Sequence, residues 1–311
     1  MGNKLSKWIA VKDESIPKHT DHVAEKLREI PIHNDESSCI SVSHLCSSSD
    51  GTTFWASDCD GSLTHLDKEG DVLTRVSIAR SDGGSFTAIT GCLGVMYVDF
   101  HDKAVYKLCT DMSTEILVST GDWNPTAISS SPFAIGHDES LLVGMRKGLS
   151  CKITRYSKDG KSVQNIRKKS ILRDLYKSVD CITENINGDI CVSDALSYSV
   201  VVVTGSGRYR FSYFGQKSQE TFTPCGICTD VLGQILVCND SFSFRPNCSS
   251  VHLLDKDGNF LCLLLKPELC PISPSAVCID DEHNLLLGSR HSSYIVVYKY
   301  LKSKDLVSSY S

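Results

Sequence analysis

The sequence lacks any apolar run approaching the ~18 residues that cross a bilayer, and its opening, MGNKLSKW, is without the roughly 7–15-residue apolar stretch of a secretory leader. A cytoplasmic protein is expected. Positive charge is not in excess: 32 Lys and Arg stand against 37 Asp and Glu, a net −5 that argues against DNA and lends no general support to RNA. Paired zinc-ligand motifs are missing, since the only Cys-x-x-Cys is Cys225-Gly226-Ile227-Cys228 and a structural zinc site needs a second close pair. Helical periodicity is scarce after residue 30; apolar residues fall instead in short runs rich in Val, Ile, Leu, Tyr and Thr, the pattern of strands.

What is present is a core-forming composition, 41% hydrophobic and 22% charged, outside the range of disordered chains. Fifteen cysteines are an odd count scattered along the whole length, which with no export signal reads as reduced thiols. Above all there is a repeat. Gly51-Thr52-Thr53-Phe54-Trp55, Gly94-Val95-Met96-Tyr97-Val98, Glu139-Ser140-Leu141-Leu142-Val143, Gly188-Asp189-Ile190-Cys191-Val192, Gly233-Gln234-Ile235-Leu236-Val237 and His283-Asn284-Leu285-Leu286-Leu287 are versions of one element. Their intervals are 43, 45, 49, 45 and 50 residues, the spacing of four-stranded propeller blades.

Before this element stands another, Pro224-Cys225-Gly226-Ile227 through Asp230 and Pro274-Ser275-Ala276-Val277 through Asp280, with Pro132-Phe133-Ala134-Ile135 through Asp138 read as a third copy. After it come hairpin signals ending at Gly70, Gly160, Gly207 and Gly258, where glycine supplies positive φ. The expected fold is all-β, a single six-bladed β-propeller of four-stranded antiparallel blades over residues 25–303, between tails at 1–24 and 304–311. The last unit has three strands and then a polar tail, leaving an open edge. The segment at 25–33, EKLREIPIH, is therefore expected to pair there and close the ring.

The strings DCITENINGDICVSD, VVVVTGSGRYRFSYFG and PCGICTDVLGQILVCND resemble the NHL-type propeller at the C-terminus of tripartite-motif proteins, particularly the invertebrate sets. The resemblance spans roughly residues 33 to 300 and is carried by Gly188 to Asp194 and Gly226 to Asp230; the first three units rest on spacing. In that family a RING, B-boxes and a coiled coil precede the propeller, and the RING ligates ubiquitin. No such zinc pairs occur here, so the resemblance implies a substrate-recognition unit linked to ubiquitination without the ligase.

On this fold the loops joining strands two and three, and those joining blades, share one face. It is expected to gather Asp58, Asp60, His101, Lys103, Arg146, Lys147, Asp194, Tyr198, Phe242, Phe244, Arg245, Arg290 and His291, with Trp123, Tyr176, Lys177 and Phe222 from the inter-blade loops. Aromatic and Arg side chains on loops are the types that dominate interface energetics. Arg167-Lys168-Lys169-Ser170 is the one dense basic run and reads as a solvated loop. Asp58-Cys59-Asp60-Gly61 and Asp255-Lys256-Asp257-Gly258 lack the closing ligands of a calcium loop and read as turns. Met1-Gly2-Asn3-Lys4-Leu5-Ser6 fits an N-myristoylation pattern, and lipidation of Gly2 would tether the chain only marginally to a membrane.

The leading expectation is a non-catalytic module that binds a protein partner and needs no cofactor. Single-stranded RNA is the alternative, with aromatics stacking on bases. It is disfavoured by net charge and by the mixture of Asp58, Asp60 and Asp194 with Arg146 and Arg290. A metal-dependent hydrolase of the six-bladed type ranks last, because the inner strands present Ser41, Thr87, Ala134, Thr183, Gly226 and Ala276 where such enzymes place carboxylates and histidines.

Overall fold

The computed structural model describes residues 24–32, 41–48, 51–58, 61–78, 94–131, 139–170, 173–216, 222–240, 249–266, 270 and 272–301. Strand β1 (Glu25–Pro31) stands ahead of six antiparallel sheets. The first holds β2 (His44–Ser47), β3 (Phe54–Ser57), β4 (Ser62–Leu66) and β5 (Val72–Ser77). The second shows three strands among the described residues, β6 (Met96–Asp99), β7 (Ala104–Leu108) and β8 (Thr114–Ser119). The third holds β9 (Asn124–Ser131), β10 (Ser140–Lys147), β11 (Ser150–Ser157) and β12 (Ser162–Ile166), and a small hairpin follows, β13 (Lys168–Ser170) with β14 (Arg173–Asp174). The fourth holds β15 (Cys181–Glu184), β16 (Ile190–Asp194), β17 (Ser199–Val203) and β18 (Tyr209–Tyr213). The fifth holds β19 (Pro224–Thr229), β20 (Ile235–Asn239), β21 (Ser250–Leu254) and β22 (Phe260–Leu265). The sixth joins β23 (Pro274–Ile279), β24 (Leu285–Ser289) and β25 (Tyr294–Lys299) to β1.

Inner strands pack in succession, β2 on β23, β23 on β19, β19 on β15 and β15 on β9, and β9 packs on β6, the innermost strand described in the second sheet. Trp55 and Leu63 of the first sheet cluster with Tyr97 and Leu108 of the second. The sheets thus follow one another round a closed six-bladed β-propeller. Because each blade is covered on both faces, β16, β17, β20, β21 and β24 are buried at every residue, while outer β5 and β12 are largely open to solvent and outer β18 is mostly half-buried. This explains why the middle strands read as unbroken apolar runs such as VVVV, each Val or Leu stabilising the fold by about 1.5–3 kcal/mol. Among the described residues no helix is long and apolar enough to cross a membrane.

One register expectation is corrected. The inner strand of the third blade is β9, whose Pro125-Thr126-Ala127-Ile128 carries the proline, small and branched pattern seven residues before the copy read at Pro132. Ile128 pairs with Val143 as Ile227 pairs with Val237; residues 132–138 lie outside the described set.

A single turn recurs eight times among the described residues. The residue at 67, 109, 157, 185, 204, 230, 255 or 280 donates its N–H to the carbonyl four positions on and accepts from the N–H three positions on. At Asp67, Asp230, Asp255 and Asp280 the carboxylate also accepts from the N–H four residues on, which accounts for the Asp of the repeat. The fourth residue has positive φ, so Gly stands there except at Met112 (65°) and His283 (62°). Gly70 has a second reason to be glycine, because an added Cβ would lie 2.5 Å from the Pro31 carbonyl oxygen in β1.

That contact seals the ring. β1 pairs antiparallel with β25 from Glu25↔Lys299 to Pro31↔Tyr294, where the sequence places it. Ile30 enters the core shared by the sixth and first blades with Phe54, Leu66, Leu286 and Ile295, and Lys68 bonds Asp281 at 2.8 Å across the same seam. Between blades three and four lies a buried polar knot. Arg155 Nη2 donates to Glu184 Oε1 at 2.9 Å and Arg155 Nη1 to Ser140 Oγ at 3.0 Å. Ser131 Oγ accepts from Arg155 and donates to Glu184 Oε2.

His252 is wholly buried between Tyr213 and Phe222, with Nδ1 2.8 Å from Tyr213 Oη and Nε2 3.1 Å from Ser250 Oγ. Burial pushes its pKa down to about 4, so the native ring is neutral. The unfolded chain takes up a proton near pH 6.5, and stability that is complete above that value falls as pH drops toward 4, by about 3 kcal/mol at the bottom of the window. Chemical denaturation of His252→Gln across that range is expected to show a pH slope smaller by about one proton; an unchanged slope refutes the assignment.

Candidate functional site

Among the described residues, strand two of blade three reaches furthest on the face bearing the connections between strands two and three. From Val143, opposite channel-lining Ile128, β10 runs on to Lys147, whereas beyond Val192, opposite channel-lining Ile182, β16 stops at Asp194. Blade three therefore projects two residues, about 7 Å, further as a finger. Its tip is a two-residue turn, Gly148 (φ 60°) and Leu149, and Leu149 is 93% exposed. A turn of this kind calls for glycine in its first position and makes no demand for an apolar residue in its second, so the turn itself does not account for Leu149.

Around the finger the side chains are tied in sequence. Trp123 has Lys152 Nζ at 4.6 Å and the Arg167 guanidinium at 5.6 Å from its ring centre. Arg167 also reaches Ser150 Oγ at 2.9 Å, which fastens the β13–β14 hairpin to the finger. The basic run read as a solvated loop is thus a β-hairpin, with Lys168 paired to Asp174 at 2.5 Å. Cys151 Sγ donates to the Lys177 carbonyl at 3.2 Å, the Lys177 N–H donates to Asp194 Oδ2 at 2.8 Å, and Ser178 Oγ accepts from the Leu196 N–H at 3.1 Å. Tyr198 ends the 3₁₀ turn Ala195–Ser197 in a left-handed conformation (φ 53°, ψ 42°) and is 60% exposed beside exposed Leu196. A bulky residue held at positive φ is strained, and here the strain presents an open aromatic ring.

Several residues expected on this face serve its architecture. Asp194 is fully buried and also accepts from the Ser178 N–H, Ser178 Oγ and the Ser197 N–H. Buried Asp58 accepts from Ser62 and lies 3.6 Å from Arg75. Asp99 and Asn239 likewise accept from loop N–H groups. The Asp or Asn at the end of strand two holds the loops of this face in place, so the charge mixture inferred from Asp58 and Asp194 is not displayed. Tyr176 and Phe222 are also corrected. Tyr176 is buried in the core between blades three and four, and Phe222 packs edge-on against Tyr213; inter-blade loops turn their large apolar groups inward to cover blade edges.

Arg146, Lys147, Lys177, Arg290 and His291 are exposed as expected, as is His101; Trp123 and Lys103 are half-buried. Lys147 pairs with Asp122 at 2.8 Å and holds that carboxyl below its ordinary range. Arg290 lies within electrostatic reach of His44, Asp180 and Asp240; burial pushes both carboxyls up while the guanidinium opposes the rise. Gly2, Asp60, Thr87, Ala134, Phe242, Phe244 and Arg245 lie outside the described residues.

The central cavity, of about 240 Å3, is lined by Thr183, Gly226 and Ala276 as the repeat implies. Four inner strands also bring Cys46, Cys181, Cys228 and Cys278 to it. Burial pushes Cys181 up to about 11 and raises Cys228 and Cys278 well above the ordinary thiol value, keeping these three protonated and poorly nucleophilic. Among the described residues no three His, Cys, Asp or Glu side chains are placed to hold a metal ion.

No family model matches the chain, and no curated protein does. Solved structures resemble it in fold. A streptogramin B lyase superposes with TM-score 0.59 at 13% identity over 88% of this chain and 97% of its own. A catalytically inactive virginiamycin B lyase from Staphylococcus aureus, solved with quinupristin, gives 0.60 at 13% over 89% of each. The WD40 propeller domain of Doa1 gives 0.57 at 13% over 85% and 80%. At this identity the likeness establishes the propeller alone.

Proposed function

We propose that the protein is a non-catalytic interaction module that binds a protein partner through the rim formed by blades three and four. The observation that carries this reading is the finger tip. Leu149 is 93% exposed where the turn needs no apolar residue, on the tip that follows exposed Arg146 and Lys147, and the equivalent loop of blade four exposes Leu196 and Tyr198. Exposed aliphatic, aromatic and Arg groups on a rigid scaffold are the chemistry of an interface centre with a charged border. The likeness to NHL propellers, and with it a substrate-recognition role linked to ubiquitination, agrees with such a rim.

RNA binding through the same face is the weaker reading, since the Trp123 ring is already engaged by two cations and Lys147 and Lys168 have carboxylate partners. Two of the similar structures are lyases. A catalytic role on that pattern would need an activated group, whereas burial keeps the Cys181, Cys228 and Cys278 thiols neutral and Asp58 and Asp194 are occupied by loop N–H groups.

Affinity purification with the intact chain, with and without nuclease, tests the proposal. Leu149→Asp and Tyr198→Gly are expected to lose a nuclease-resistant partner by about tenfold or more, while Ile116→Asp on the exposed outer face of blade two retains it. Tyr198→Gly should at the same time raise stability by about 1 kcal/mol by relieving the left-handed backbone. Partners retained by both rim variants would overturn the assignment.

A further inference from the structure

We propose that the segment gripped by this rim is an acidic peptide carrying apolar side chains, lying from the finger tip across the turn at Lys177 toward Tyr198. The inference rests on the rim being the partner face and adds the chemistry of the ligand.

Charge is the first argument. The chain is acidic overall, at −5, yet the finger and the β13–β14 hairpin collect Arg146, Lys147, Lys152, Arg167, Lys168 and Lys177 on one sector of the face. Asp122 answers Lys147, Asp174 answers Lys168 and lies 3.8 Å from Arg167, Asp180 accepts from Ser178 Oγ and the Ala195 N–H, and Asp194 is buried and occupied. Arg146, Arg173 and Lys177 form no ion pair among the described residues, although all three are exposed. Arg146 instead turns back on the Gly148 carbonyl at 2.9 Å. Like charges gathered with too few counter-charges repel one another, and an incoming carboxylate relieves that repulsion.

The apolar groups supply the second argument. Leu149 and Leu196 offer nothing to a phosphate or a base edge, whereas an aliphatic or aromatic side chain laid against them removes apolar area from water at about 25 cal/mol per Å2. Nucleic-acid recognition by stacking needs open rings beside the cations. Here Trp123 is engaged by Lys152 and Arg167, leaving Tyr198 as the open ring at the far end of the patch.

Selection of a displayed library of short random peptides on the immobilised intact chain tests this directly. Enriched peptides are expected to carry net negative charge interspersed with Leu, Ile or Phe. A fluorescent copy of one of them should bind the Arg146→Glu/Lys177→Glu double variant about tenfold more weakly, with a weaker salt dependence. Neutral or basic enriched peptides, unchanged affinity in the double variant, or a single-stranded oligouridylate that outcompetes the peptide would each overturn the proposal. Binding lost in Leu149→Asp but kept in the double variant would reject the acidic ligand while leaving the rim as the partner face. Binding untouched by Leu149→Asp would remove the rim itself. All substituted side chains are exposed, so unfolding midpoints are expected to match the parent's.

Discussion

A chain lacking residues 1–31 is expected to lose its single cooperative unfolding transition and to associate, with the largest stability loss of any change considered. β1 supplies the outer strand of blade six, and without it β25 presents an unpaired edge, a template for joining another chain. The seam between blades six and one would also lose Ile30 from its core and the strand against which the Gly70 turn is seated. In a ring each blade is held by two neighbours, so opening one seam weakens all. Ile30→Asp separates this effect from chain length. Placing a carboxylate at a position 1% exposed, with no cation in that apolar cluster, should cost about 3–5 kcal/mol. The denaturation midpoint measures it, and adding a peptide of residues 24–32 to the truncated chain should restore part of the loss. A truncated chain that remains monomeric with the parent midpoint would show that the ring does not depend on β1.

Glu184→Ala should destabilise the fold by about 3–5 kcal/mol, because it leaves the Arg155 guanidinium buried with no counter-charge. The two side chains are 1% and 7% exposed, and Ser131 and Ser140 complete their hydrogen bonds. The loss belongs to breaking the pair. Replacing Glu184 and Arg155 together with Leu and Met should recover most of it, since a well-packed apolar pair avoids the desolvation of two ions. Equilibrium unfolding of the two single variants and the double variant decides the matter. A double variant as unstable as the sum of the singles would mean that the knot does more than satisfy itself.

How far the sequence could be read depended on how local the physics was. The middle strands were legible because covering both faces of a blade demands continuous apolar runs such as Ile190 to Val192 and Val200 to Val203. The turns were legible because a left-handed fourth residue selects Gly and a folded-back carboxylate selects Asp. The third inner strand was misplaced because two segments, at Pro125 and at Pro132, carry the same proline and branched pattern, and pairing with Val143 chooses between them.

The candidate site was less legible for the same reason. Nothing in the run around Trp123, Arg146 and Tyr198 says which side chains meet, and residue type alone put Tyr176 and Phe222 beside them. Periodicity, turn chemistry and an unfilled outer edge, all written in neighbouring residues, were enough to determine a six-bladed ring closed by its own N-terminal strand. Only the tertiary structure decided that Asp58 and Asp194 face inward, that Leu149 stands at a projecting tip, and that a basic hairpin docks beside it. Exposure and charge environment are set by residues far apart in the chain, so they exist only once the ring has closed.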